Sequence, residues 1–296
     1  MSIYDVNGNQ LITSNYKFVG AILGATNEEN RFLAMKQLFD IAIRKINNPS
    51  YVPSASEFSY ATKGAVCILP EPASFYERYP ISLLFGKNET TQDINASTTK
   101  VLNLITALPY LADIKEKITL VSGDTESGSG DYFSAGDVLT IEDIMYGMLL
   151  PSSNTCAKTL AHYCGAKILG NSSASVSDCV SAFITEMNRK ATEIGCENST
   201  FNSPSGLSAT TKSTAKDLLR ITISASSYPE IARIWNKKSY SINIGGTNPR
   251  TQAITTTVSN ASLEADYYIF GGKTGYYYNS QGNYGSLVMV AEANGA

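Results

Sequence analysis

The chain has a single histidine, His162, in 296 residues. Serine and cysteine hydrolases usually take their general base from histidine. His162 lies in CAKTLAHYCGA, where helical spacing makes it an ordinary helix-face residue, so a hydrolase built here would take its base from a lysine or a carboxylate. Metal ligands are equally scarce. The five cysteines, Cys67, Cys156, Cys164, Cys179 and Cys196, form no C-x-x-C pair and with one histidine complete no zinc set, so neither metal nor cofactor is expected. Cys67, in the apolar run GAVCIL, reads as a core residue, and a Cys156–Cys164 link stays open on spacing alone. Lysine and arginine form no runs and the net charge is only −3, so the electrostatic footprint of a nucleic-acid binder is missing. No apolar stretch reaches the roughly 18 residues that span a bilayer. The opening MSIYDVNGNQ lacks the layout of a signal peptide, so a soluble chain is expected, with its compartment left open.

Apolar residues are plentiful, at 43%, enough for one large domain or two closely packed lobes. YKFVGAILGA (16–25) reads as a buried strand. In TNEENRFLAMKQLFDIAIRKI, Thr26 and Glu29 form a capping-box pattern. Phe32, Met35, Leu38, Phe39, Ala42 and Ile46 recur at helical spacing, which predicts a helix of about five turns. KGAVCILPEPASFYERYPISLLFGKN reads as two or three strands broken by proline and glycine turns. ASTTKVLNLITALPYL (96–111) reads as an interior helix, residues 137–220 as mostly helical, and KSYSINI, YYIFGGKTG and GSLVMVAEA as strands. Helices inserted between early and late strands predict an α/β (α+β) fold with one sheet and a helical lobe, each assembled from discontinuous sequence.

Three short elements carry chemistry. Ser97 and Lys100 are three residues apart at the start of an apolar helix, so both side chains project from one face. A buried lysine loses its proton readily and can take that of a neighbouring hydroxyl. S-x-x-K also occurs at Ser14–Lys17, leading into a strand, and at Ser213–Lys216, on a polar helix face, but only the Ser97 copy opens an apolar helix. In LLPSSNTC, Pro151 ends a helix and leaves Ser152 and Asn154 on a loop, which read alone is a capping loop. Lys273-Thr274-Gly275 stands in GGKTGYYYNS, its lysine flanked by small residues along a strand.

In this order the elements resemble the penicillin-recognising serine enzymes, with S-x-x-K, S-x-[NG] and K-T-G. ASTTKVLNLITAL, PSSNTCAKTLAHY, MNRKATEIGCENSTFNSPSGL, STAKDLL and GGKTGYYYN resemble more closely the low-molecular-mass D-alanyl-D-alanine carboxypeptidases, from about residue 60 onward. The resemblance implies a β-lactamase/transpeptidase-like fold: a central antiparallel five-stranded sheet flanked by helices (about 1–95 and 225–296) plus an all-helical lobe (about 96–224). It implies Ser97 as acylated nucleophile, Lys100 as general base, Ser152 as proton relay and Asn154 as a holder of Lys100 and of the substrate amide. Lys273, Thr274 and Gly275 would bind substrate, and the backbone N–H groups of Ser97 and Tyr276 would form the oxyanion hole. Ser205, in SPSGL, departs from the histidine or aspartate common in the family. The tyrosines after Gly275 read equally as a stacking wall or as edge packing.

The function so implied is a serine DD-carboxypeptidase acting on peptidoglycan stem peptides ending in D-Ala-D-Ala, on the cell-wall side of a bacterium and acylated by β-lactams. The alternatives are a β-lactamase of the same fold, for which the E-x-x-L-N glutamate loop is absent, and a non-catalytic β-lactam or muropeptide sensor. Residues 16–46 resemble the family's last strand and last helix, so a circular permutation is expected. It would insert the strand near Phe18–Leu23 between those near Ala65–Leu69 and Leu287–Ala291. Residues 1–15, with an Asn7–Gly8 turn, are expected to form a surface hairpin or strand extension.

Overall fold

The structure is a computed structural model that describes residues 16–70 and 81–294. The hairpin expected at 1–15, and any strand within 71–80, lie outside the described residues. The chain begins with β1 (Lys17–Ala25), α1 (Glu28–Asn47), β2 (Lys63–Ile68), β3 (Leu83–Lys87), β4 (Asp93–Ile94) and α2 (Thr99–Ala107). Next come β5 (Lys117–Thr119), β6 (Asp137–Thr140), α3 (Ile141–Leu149), α4 (Asn154–Leu169), α5 (Val176–Ile194), β7 (Lys212–Ser213), α6 (Ala215–Ser226) and α7 (Pro229–Trp235). The rest is β8 (Ser239–Gly246), β9 (Arg250–Thr255), α8 (Ala261–Asp266), β10 (Tyr267–Asn279) and β11 (Gly282–Ala293).

The main sheet is antiparallel and five-stranded, in the order β10-β11-β1-β2-β3. β1 pairs on both sides: Phe18 faces Ala291 and Ile68 across the ladders, and Ile22 faces Leu287 and Gly64. Its unbroken apolar run follows from this position, because both faces are covered as well as both edges. Phe18 and Ile22 join the core formed with Met35, Leu38 and Phe39 of α1, whereas Val19, Ala21 and Leu23 join that formed with α2 and α6. The helix cap differs from the expectation. Asn27 is the N-cap, its side chain accepting from the Asn30 N–H at 2.7 Å, while the Thr26 hydroxyl accepts from the Asn30 amide instead.

The region 96–224 is helical but not all-helical. β5 and β6 join β8 and β9 in a four-stranded sheet, and β4 pairs with β7. The segment 96–111 is an α-helix only over Thr99–Ala107, with a 3₁₀ turn before it at Ala96–Thr98 and another after it at Leu108–Tyr110. α4 starts on the Ser153 cap and α5 on the Ser175 cap, and both end on a left-handed glycine, Gly170 and Gly195. All five cysteines are free, so Cys156 and Cys164 are not linked, and Cys67 is in the core. Where α4 crosses α5, Gly165 lies against the backbone of Cys179 with no room for a methyl group. Gly165→Ala should therefore cost about 2 kcal/mol by overpacking. Urea unfolding checks this, and an unchanged midpoint would show that the crossing relaxes freely.

Candidate active site

The site is built around a strained turn. Ala96 has φ 47°, left-handed and unusual for a residue with a side chain, and places Ser97 on the 3₁₀ turn that opens α2. The Asn95 carbonyl secures this turn by accepting from the Thr98 hydroxyl at 2.6 Å and from Ser286 Oγ of β11 at 2.8 Å. Gly275 of β10 presses on the other side: a Cβ there would stand 2.9 Å from Asn95 O and 3.0 Å from Ser97 N. Only glycine lets the strand run this close to the Ser97 turn. Gly206, at φ 85°, meets the Ala96 carbonyl more tightly still, with a Cβ position 1.9 Å from its oxygen.

Lys100 is fully buried one turn further on. Its Nζ lies 2.7 Å from Ser97 Oγ, 2.8 Å from Asn154 Oδ1 and 2.8 Å from the Ser205 carbonyl oxygen. Burial pulls its pKa down to about 7, with Glu126 and then Cys156 acting in the other direction. The Cys156 thiol is itself pushed up to about 12 by burial and is neutral at physiological pH. Asn154 Oδ1 and the Ser205 carbonyl can only accept, so they take the two hydrogens of a neutral amine and leave its lone pair for the Ser97 hydroxyl. This geometry suits a general base.

Asn154 heads α4, with Nδ2 donating to Ser127 O at 3.1 Å. Ser152, on the loop before it, is buried at φ 68°, and its hydroxyl has no hydrogen-bond partner among the described residues. Lys273 of β10 is fully buried and donates to its neighbour's carbonyl, Thr274 O, at 2.8 Å. Burial lowers its pKa well below the usual lysine value, and the charges of Lys100 and Arg31 lower it further. Thr274 Oγ1 meets Thr257 Oγ1 at 2.6 Å, and the Thr257 N–H donates to Leu150 O at 3.1 Å, which ties the Lys-Thr-Gly strand to the end of α3. Ser97, Lys100 and Asn154 are thus hydrogen-bonded together and Lys273 is coupled to Lys100 by charge, whereas Ser152 and Lys273 are not hydrogen-bonded to Ser97 among the described residues.

The sequence model of the D-alanyl-D-alanine carboxypeptidase family matches residues 81–296. The chain belongs to this D-alanyl-D-alanine carboxypeptidase family. Carboxypeptidase DacF of Bacillus subtilis is 25% identical over 187 residues, covering 58% of this chain and 43% of that protein. DacB2 of Mycobacterium tuberculosis is 30% identical over 199 residues, covering 66% and 62%. The chain spans under half the length of the first relatives it matches. Its fold is that of the Streptomyces K15 DD-transpeptidase, at TM-score 0.59 and 24% identity over 72% of this chain and 84% of that one. The Mycobacterium tuberculosis H37Rv D-alanyl-D-alanine carboxypeptidase has TM-score 0.56 and 26% identity, over 72% and 78%.

Within this carboxypeptidase-family site stands a cation that sequence reasoning missed. Arg31, in the first turn of α1, is 6% exposed, its Nε has no hydrogen-bond partner among the described residues, its guanidinium lies 3.9 Å from Glu28, and its charge lowers the pKa of Lys273. The signal was present: Arg31 is four residues before Met35 and seven before Leu38, so it occupies the apolar stripe of the helix. A charge on that stripe marks a site or a buried pair. The tyrosines divide by strand alternation. Tyr277 packs toward Tyr284, with ring centroids 6.4 Å apart, while Tyr276 and Tyr278 are exposed. His162 stands away from this cluster, with Nδ1 2.8 Å from Asp124 Oδ1.

Proposed function

We propose that the protein is a serine DD-carboxypeptidase that removes the terminal D-alanine from peptidoglycan stem peptides, and that β-lactams acylate the same serine. The observation that carries this is the buried Lys100 amine, 2.7 Å from Ser97 Oγ, with its other two partners restricted to accepting. Lys100 takes the Ser97 proton as Oγ attacks the scissile carbonyl. The backbone N–H groups of Ser97 and Tyr276 hold the oxyanion, a contribution of roughly 3 kcal/mol per donor. Collapse breaks the C–N bond, and the D-alanine amine leaves with the proton returned from Lys100 through Ser152. Water then attacks the ester, giving its proton to Lys100; the C–O bond to Ser97 breaks, Lys100 returns the proton to Oγ, and the shortened peptide and free Ser97 are released. Asn154 has one amide hydrogen left for the substrate after bonding Ser127.

The terminal carboxylate is held by Thr274 Oγ1 and the charges of Lys273 and Arg31. Among the described residues β10 is an edge strand, so an extended peptide can pair along it beside Gly275. Arg31→Gln should lower kcat/KM for a D-Ala-D-Ala peptide roughly 10- to 100-fold, the ~1.5–3 kcal/mol of a hydrogen bond to a charged group. Unchanged kinetics would remove Arg31 from the site. The dependence on α1 bears on the domain reading, in which 1–95 and 225–296 form a sheet lobe and 96–224 a helical lobe. We read 16–46 as the fold's last strand and last helix carried at the front, a circular permutation that the position of β1 between β2 and β11 supports.

A stem-peptide substrate implies action outside the cytoplasm. No helix among the described residues is long and apolar enough to cross a membrane. The deciding experiment labels the protein with a fluorescent penicillin, follows decay of the acyl-enzyme, and measures D-alanine release from a D-Ala-D-Ala peptide. Release together with slow decay is expected. Fast decay would instead indicate a β-lactamase, and stable labelling without release a sensor.

A further inference from the structure

The strap Glu126–Gly130 lies over the Ser-x-Asn loop and is fitted to it closely. The Glu126 N–H donates to Thr155 Oγ1 at 3.1 Å, Ser127 O receives the Asn154 amide, and Ser129 O receives the Asn154 N–H at 3.2 Å. Gly128 (φ 118°) and Gly130 (φ 62°) have no space for a side chain, the first against Asn154 Nδ2 and the second against the Ser153 backbone. This fit holds the part-buried Glu126 carboxylate at one point, where Ser205 Oγ donates to its Oε2. Ser205 is also the residue whose carbonyl oxygen receives a Lys100 hydrogen. Its hydroxyl further accepts from the Leu207 N–H at 3.3 Å, so carboxylate, hydroxyl and turn form one unit.

We infer that Glu126 and Ser205 are a positioning pair for Lys100: the carboxylate anchors the turn that presents the Ser205 carbonyl and supplies the negative charge facing the lysine. The inference rests on the roles of Ser97 and Lys100 proposed above. The groups facing Lys100 are few. Glu126 comes from the strap, the neutral Cys156 thiol from α4, and the Lys273 amine, on which Arg31 also acts, from β10. Among the described residues Glu126 is the carboxylate whose charge acts on Lys100, Arg31 having its own partner in Glu28 at 3.9 Å, so removing Glu126 makes the ammonium form of Lys100 less favourable.

The test is the pH profile of acylation by a fluorescent penicillin, read by stopped flow from mildly acid to mildly alkaline pH. In Glu126→Gln the acid limb should move about one unit toward lower pH. Glu126→Asp, which keeps the charge, should stay near wild type. Ser205→Ala should shift the limb in the same direction by less, and the double variant should shift no further than Glu126→Gln alone, as expected for two residues acting through one contact. If Glu126→Gln does not fold, Ser205→Ala carries the test, and its limb must move toward acid. An unmoved limb in folded variants overturns the pairing. So does slowed hydrolysis of the acyl-enzyme as the only defect, which would make Glu126 a catalytic base. Absence of labelling in the wild-type protein would instead refute the carboxypeptidase reading.

Discussion

Ser97→Ala is expected to abolish covalent labelling by penicillin, with the protein still folded. The reason lies in how the other hydroxyls around Lys100 are committed. The Thr99 hydroxyl accepts from Asn95 Nδ2 at 2.8 Å, Ser286 donates to Asn95 O at 2.8 Å, and Thr274 is paired with Thr257 at 2.6 Å. Ser205 gives its proton to Glu126. Ser152 is buried and, among the described residues, its hydroxyl has no hydrogen-bond partner in the free protein, whereas Ser97 Oγ already lies 2.7 Å from Lys100 Nζ. A serine hydroxyl without an adjacent base is a weak nucleophile, so none of these should replace Ser97. Folding should survive because Ser97 Oγ contributes only its bond to Lys100, about 1 kcal/mol of net stability. Intact-mass analysis after penicillin treatment checks the claim. Stoichiometric adduct on the alanine variant would remove Ser97 as nucleophile.

Much of this site was legible because its first pair is local. Three residues at a helix start bring Ser97 and Lys100 onto one face, and the apolar residues after Lys100 foretell its burial. The order of S-x-x-K, S-x-N and K-T-G then identifies partners far away in sequence. What remained hidden depends on backbone or on loops. The carbonyl of Ser205 receives a Lys100 hydrogen, and a carbonyl has no side-chain signature. Glu126 stands among glycines and serines, where no periodicity marks it, whereas Arg31 was readable on an apolar stripe. The capping shift from Thr26 to Asn27 reflects two adjacent residues that both cap well, with the choice made by how the chain leaves β1. β5, β6 and β9 have 3, 4 and 6 residues, short enough that alternation barely registers. β1 was legible for the opposite reason: nine residues with hardly a polar side chain need cover on both faces.

Lys100→Ala should lower the acylation rate by about 10²- to 10⁴-fold, the usual contribution of a positioned acid or base. In the wild-type protein the rate should rise with pH through about 7, where Lys100 becomes the free amine, and fall tenfold per unit on the acid side. The residual rate of the variant should lack this limb. Stability carries the same signature. The native pKa of Lys100 lies near 7 and the unfolded value near 10.5, so between them the unfolded chain binds the extra proton. Stability therefore rises with pH across that window, by up to ~1.4 kcal/mol per unit from this group, and the cost of a buried ammonium is fully present below it. Lys100→Ala should flatten this slope even though Lys273, also depressed, keeps part of it. Stopped-flow acylation and denaturant midpoints, both measured against pH, test the two signatures independently. An alanine variant that acylates at the wild-type rate would show that Lys100 is not the base, and one that acylates slowly but keeps the full slope would show that Lys100 is charged in the native wild-type protein.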